Sequence, residues 1–113
     1  GKHGKHDERE YVDSGCWVWE LLHDYLCYSH DFTILQEKID WLDHDEPATV
    51  FDHTHSLFAY YLDAGNIGEH GLCKIRAGDW NDGINRAGLE GRGESVMVSC
   101  QVVLALKEYA ELL

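Results

Sequence analysis

Proline is almost missing from these 113 residues, with Pro47 its single occurrence. The ring that fixes φ and removes a backbone donor therefore punctuates the chain only once. Basic residues are scarce too. Nine Lys and Arg stand against 21 Asp and Glu, a formal net charge of −12 at pH 7. That balance argues against nucleic acid or an anionic membrane as a partner, because both require a basic patch. No apolar run is long enough to span a bilayer, and no signal-peptide pattern opens the chain. Closely spaced cysteines are also absent. Cys16, Cys27, Cys73 and Cys100 include no C-x-x-C, whereas zinc ligands usually come as near pairs. The expectation is reduced core thiols in a cytoplasmic protein, with Cys16, Cys27 and Cys100 in apolar helical surroundings. Neither a metal nor an organic cofactor is expected. There is no evident internal repeat and no low-complexity tract.

Hydrophobic residues make up 44% of the chain, enough for one small domain with its own core. Residues 1–10 are polar and charged and read as a flexible arm. Asp13 and Ser14 are helix-start residues. Beyond them Trp17, Val18, Leu21, Leu22, Tyr25, Leu26 and Tyr28 recur at helical spacing as far as about Tyr28. Thr33 with Gln36 forms a capping box ahead of a second, shorter helix carrying Ile34, Leu35, Ile39, Trp41 and Leu42. Pro47 suits the first turn of a third helix, about Ala48 to Asp63. Its buried stripe is Val50, Phe51, Leu57, Phe58, Tyr61 and Leu62, and Gly65 closes it as a left-handed cap. Leu72 to Ile75 is short and extended. A fourth helix, about Ser95 to Leu112, is apolar on most sides and should be buried on most sides. Three other helices of this size cannot surround it. The chain therefore either associates or belongs to a larger helical array. The tryptophans Trp17, Trp19 and Trp41 fit a helical core.

The remaining stretch has no regular period. From Arg76 through Asp79-Trp80-Asn81-Asp82-Gly83 to Gly91-Arg92-Gly93-Glu94-Ser95 it mixes acids, amides, arginines and a tryptophan among glycines. A long irregular loop beside a buried helix is costly to keep unless it works. Carboxylates can bind hydroxyls and move protons, Trp80 offers a face for a sugar ring, and glycines let backbone come close to a ligand. Other chemistries fit less well. Asp79, Asn81 and Glu90 match positions of a calcium loop, but Gly83 and Ile84 fall where a ligand and a turning glycine are required. Gly91-Arg92-Gly93 lacks the order of a nucleotide loop, and Glu94 would repel an anion there, being better placed to complement a helix dipole. His53 and His55, two apart on a helix, point to different faces and do not share a metal.

Three sets of residues carry a resemblance. They are Gly71-Leu72, Ala77-Gly78-Asp79-Trp80-Asn81-Asp82-Gly83, and Gly91-Arg92-Gly93-Glu94-Ser95-Val96. In that order and spacing they closely resemble glycoside hydrolase family 94, the inverting cellobiose, chitobiose and related phosphorylases. Tyr11-Val12-Asp13-Ser14-Gly15-Cys16-Trp17 looks like the family's Y-S-D-D-x-L-W segment, with Ser14 in place of the second Asp. His30-Asp31-Phe32-Thr33-Ile34-Leu35 looks like its G-D-x-x-x-L turn, and Met97 stands where Trp is common.

The resemblance implies an all-α fold in which residues 11–113 form part of an (α/α)6 barrel: about four helices, with a long active-site loop before the last. It implies Asp82 as the catalytic general acid, with Trp80, Asp79 and Asn81 lining the sugar site. The substrates would be a β-linked disaccharide or oligosaccharide and inorganic phosphate, giving a sugar 1-phosphate. An inverting hydrolase needs a second carboxylate to activate water. Phosphate is already an anionic nucleophile, so one acid suffices. Family enzymes are several times longer, and their phosphate-binding residues lie outside the matched region. The expected partner is thus the rest of the barrel or a second copy, and the 113 residues alone should be inactive. The alternative is a non-catalytic helical segment that binds carbohydrate or oligomerises.

Overall fold

The structure, a computed structural model, describes residues 11–41, 45–79 and 86–113. Helix α1 spans Ser14–Ser29, α2 Val50–Leu62 and α3 Val96–Leu112. Two-residue strands, β1 (Lys38–Ile39) and β2 (Ala48–Thr49), pair antiparallel with Lys38 opposite Thr49.

Helix α1 follows its apolar spacing. Its N-cap Asp13 makes no side-chain cap bond, and its carboxylate instead accepts from Trp17 Nε1 at 2.9 Å. The helix closes at His30, which takes a left-handed φ of 55° and donates its N–H to the Leu26 carbonyl. This cap, not Gly65, is the left-handed one. Gly65 sits in a short 3₁₀ turn, Ala64–Asn66, and donates to Asp63 Oδ1 at 2.7 Å. The end of α2 is closed instead by Asp63 N–H and Asn66 Nδ2, both donating to the Tyr60 carbonyl.

The expected second helix is not formed. Phe32–Gln36 is a 3₁₀ turn that opens into β1. The cause is local competition. Asp31 accepts from both the N–H and the hydroxyl of Thr33, so Thr33 is not the cap of the predicted box. The chain then extends, and Val50 N–H donates to Glu37 O at 2.8 Å, tying the hairpin to the start of α2. Pro47 consequently precedes β2 instead of opening a helix. The N-cap of α2 is Thr49, whose hydroxyl accepts from Asp52 N–H at 3.0 Å. The described residues hold three α-helices where the sequence suggested about four. Leu42, the last apolar residue of the predicted helix, lies outside them.

The helices meet around aromatic rings. Trp19, Phe58, Ala105 and Tyr109 are buried together. Phe58 stacks on Tyr109 with centroids 4.5 Å apart, and Trp19 meets Tyr109 edge-on at 5.5 Å. Burying one such side chain contributes roughly 1.5–3 kcal/mol. A second cluster joins Val12, Cys16, Tyr61, Cys73, Val98 and Val102. Burial pushes the Cys16 thiol and the Tyr61 hydroxyl up from their ordinary values. Cys16 and Cys73 are core thiols as expected of Cys16, but Cys27 and Cys100 are exposed. Of the tryptophans, Trp19 is buried, Trp17 is half exposed, and Trp41 stacks on His53 at 3.8 Å.

Helix α3, as its apolar sequence implied, is not surrounded by the other described helices. One face, Val98, Val102, Ala105 and Tyr109, is covered. Val96, Val103 and Leu104 are exposed. Helix α1 likewise presents Val18, Leu21, Tyr25 and Tyr28 to solvent, Leu21 at 74%. Both helices are apolar on more sides than the described residues cover. Among the described residues no helix is long and apolar enough to cross a membrane.

Candidate active-site loop and its anchorage

The irregular stretch of the sequence is fastened at its base by backbone, before any side chain acts. Ile75 N–H donates to Gly93 O and Ser95 N–H to Cys73 O, both at 2.8 Å, so 73–75 runs beside 93–95. Val12 N–H donates to Gly78 O at 3.0 Å, and Tyr11 bridges Gly78 in parallel register. The upstream motif, residues 11–17, is thereby drawn against the start of the acidic loop. Tyr61 hydroxyl donates to Val12 O and holds that junction from α2. Asp13, beside it, is buried. No sequence period marks this junction, because its partners lie far apart in the chain.

Glycines at the base serve the backbone itself. A Cβ on Gly88 would overlap the Arg76 carbonyl oxygen, and one on Gly93 would overlap the Ala87 carbonyl oxygen. Both are close approaches of chain to chain, a use that the sequence reading, which gave glycines to a ligand, did not foresee. Arg76 adopts a left-handed φ of 54°. Its guanidinium donates to Gly65 O at 2.8 Å and to Asn66 Oδ1 at 2.7 Å, which binds the loop entry to the turn after α2.

Glu94 was expected to complement the helix dipole. It turns the other way. Its carboxylate accepts from the backbone N–H groups of His70 and Leu72 at 3.2 and 3.1 Å. It also meets His70 Nδ1 at 2.6 Å. The His70 hydrogen bond holds the Glu94 carboxyl below the usual carboxylate range. The same bond raises the His70 imidazole above its ordinary value.

Asp79 is 3% exposed. Its Oδ2 accepts from the hydroxyl of Ser95, also 3% exposed, at 2.6 Å. The sequence named Asp79, Trp80, Asn81 and Asp82 together. The structure places Asp79 at the buried edge of the loop base, while Trp80, Asn81 and Asp82 lie outside the described residues. The residues that sequence reasoning did not select are Ser95, Glu94, His70 and Tyr61. Glu94 and Ser95 stood in the Gly91-to-Val96 motif and Tyr61 in the apolar stripe of α2, but none was expected at the site, and His70 carried no signal.

A well-formed concavity among the described residues lies elsewhere. A groove of about 590 Å³ between α1, α2 and β1 is lined by Val18, Leu21, Tyr25, Ile39, His53 and Leu57. It contains no residue of the loop and few polar groups, so it suits packing of apolar side chains and not recognition of a hydroxyl-rich sugar. His53 Nε2 is 2.9 Å from the Ile39 carbonyl oxygen. Among the described residues no three His, Cys, Asp or Glu side chains gather where they could hold a metal ion.

Comparison with known proteins brings the loop into context. The family model "Glycosyl hydrolase 94 superfamily, catalytic domain" matches residues 2–113. A solabiose phosphorylase of Paenibacillus borealis is 39% identical over 106 residues, 94% of this chain and 13% of the relative. A 3-O-beta-D-glucopyranosyl-beta-D-glucuronide phosphorylase of the same organism is 35% identical over 98 residues, 87% of this chain and 12% of its own length. An N,N'-diacetylchitobiose phosphorylase of Vibrio furnissii is 32% identical over 100 residues, 88% of this chain and 12% of its own. The chain thus spans about an eighth of the length of these curated relatives.

Proposed function

The chain belongs to the glycosyl hydrolase 94 superfamily, matching its catalytic domain, and from that premise we propose that it is the acid-bearing segment of an inverting disaccharide phosphorylase. The observation that carries this reading is the family match over residues 2–113, which includes Asp79-Trp80-Asn81-Asp82-Gly83, with relatives that are themselves disaccharide phosphorylases.

In this reading Asp82 is the general acid. It donates its proton to the glycosidic oxygen as that bond to the anomeric carbon breaks. An oxygen of inorganic phosphate forms the new bond from the opposite face, and the products are a sugar 1-phosphate of inverted configuration and a free sugar. No second carboxylate is needed, because phosphate replaces activated water. Asp82 has to start protonated, which a nearby anion favours; buried Asp79 and the phosphate itself can supply that charge. Trp80, Asp79 and Asn81 line the sugar site, Trp80 by stacking. No metal or organic cofactor takes part, and the setting is cytoplasmic. The uncovered apolar faces of α1 and α3 and the α1–α2 groove favour further helices of an (α/α)6 barrel packed on both sides.

Phosphate dependence tests the reaction. With solabiose, N,N'-diacetylchitobiose and cellobiose as trial donors, the native full chain should release a sugar 1-phosphate only when inorganic phosphate is present. Sugar release without phosphate would make it a hydrolase. Self-association of a native chain without turnover would favour the oligomerising alternative.

A further inference from the structure

Ser95 has one proton and a fixed direction in which to give it. Val98 N–H, a donor, points at Ser95 Oγ from 3.1 Å, so the oxygen accepts there as the N-cap of α3. The hydroxyl proton is left for Asp79 Oδ2 at 2.6 Å. Both ends of this link are buried. The serine backbone is itself held: its N–H by Cys73 O at 2.8 Å, its carbonyl by the Ser99 hydroxyl at 2.6 Å. Ser99 Oγ in turn accepts from Cys73 N–H at 2.9 Å. Helix α3 is the element most deeply built into both core clusters. Asp79 lies three residues ahead of Asp82 in the chain.

We propose that Ser95 is a positioning residue of the reaction: it joins the capped N-terminus of α3 to the Asp79 carboxylate and so fixes the point from which the segment carrying Asp82 leaves the scaffold. This rests on the phosphorolysis reading above. Capping alone would require only an acceptor at position 95. The structure uses the donor as well, and directs it to a buried acid of the loop instead of to solvent. Small misplacement of a reacting group is expensive, with about 1 Å costing on the order of a hundred-fold in rate, so a rigid anchor three residues before the acid in the chain has a kinetic consequence beyond its effect on folding.

Substitutions at one position separate the two roles. Asp is as good an N-cap as Ser, but Ser95→Asp removes the donor and sets a second carboxylate against Asp79. Ser95→Thr keeps acceptor and donor. Ser99→Ala removes a neighbouring structural hydroxyl that does not touch Asp79. In the native full chain, assayed with the three trial donors and inorganic phosphate, Ser95→Asp should lower kcat on the order of a hundred-fold with KM close to that of the parent. Ser95→Thr should restore kcat to within several-fold, and Ser99→Ala should leave it within about three-fold. Parental kcat in Ser95→Asp overturns the proposal, as does loss in Ser95→Thr equal to that in Ser95→Asp. If Ser95→Asp fails to fold, Ser95→Ala replaces it, and equal losses in Ser95→Ala and Ser99→Ala overturn the proposal. A parent chain that releases sugar without phosphate defeats the phosphorolysis reading alone, and the same comparison is then made on the hydrolytic rate. A parent without turnover defeats that reading too. The anchor is then judged by thermal unfolding of Ser95→Ala, Asp79→Asn and the double variant: non-additive shifts in Tm support it, and additive shifts overturn it.

Discussion

The meeting point of the three helices and the base of the 76–95 loop are held by different physics. At the first, Trp19, Phe58 and Tyr109 supply area and ring contacts, which are non-directional and tolerate compensating shifts. At the second, the buried apolar side chains Val12, Cys73 and Ile75 are joined by directed polar contacts. Order comes from single hydrogen bonds of fixed direction, Ser95 to Asp79 and His70 and Leu72 to Glu94, and from glycines where no side chain fits. The core sets how stable the segment is. The loop base sets where a few polar groups stand.

Substitutions should separate these regimes. The largest stability effect belongs to the core: Trp19→Ala, at a side chain 1% exposed, should lose about 3–5 kcal/mol in urea unfolding. Gly88→Ala should follow at about 1–3 kcal/mol, because the added methyl meets backbone and forces it to move. A loss as small as that of a surface glycine would show that the loop base yields freely. Tyr61→Phe strips the buried hydrogen bond to Val12 O and should cost about 1–2 kcal/mol. It should also loosen the 11–12 junction with Gly78, read as faster amide exchange at Val12.

The smallest effect concerns His70 and Glu94, and it depends on pH. His70 is raised by its bond to Glu94 from an ordinary value of 6.5, so its stabilisation is complete below that pH and is lost as pH rises through the folded value. Glu94 is lowered from 4.5, so its stabilisation holds above that pH and is lost as pH falls through the folded value. Both are satisfied between these limits. His70→Gln should therefore lower Tm more near pH 5.5 than at about pH 9. Equal shifts at both pH values would assign the pair no coupling.

The sequence was readable where one period dominates and where a motif is local. Helices α1 and α3 follow their apolar spacing, and the stretch from Asp79 to Gly83 stood out by its acids, amides and glycine. The second helix was misread because Asp31 outcompetes Gln36 for Thr33, a choice between two local motifs that composition does not decide. Pro47 was misassigned for a related reason, since Ala48–Thr49 pairs as β2 and Thr49 supplies the cap of α2. The pairings of Ser95 with Asp79 and of Glu94 with His70 and Leu72 join residues 16 to 24 apart without any period. Such contacts exist only once the chain has folded, and a pattern of residue types does not contain them.

Asp82→Asn tests the central claim most directly, in the native full chain, with sugar 1-phosphate release and thermal unfolding measured together. Loss of the general acid should reduce phosphate-dependent turnover by about 10²–10⁴-fold while Tm stays within a few degrees of the parent. Turnover retained in a folded Asp82→Asn variant would contradict the assignment of Asp82 as the acid.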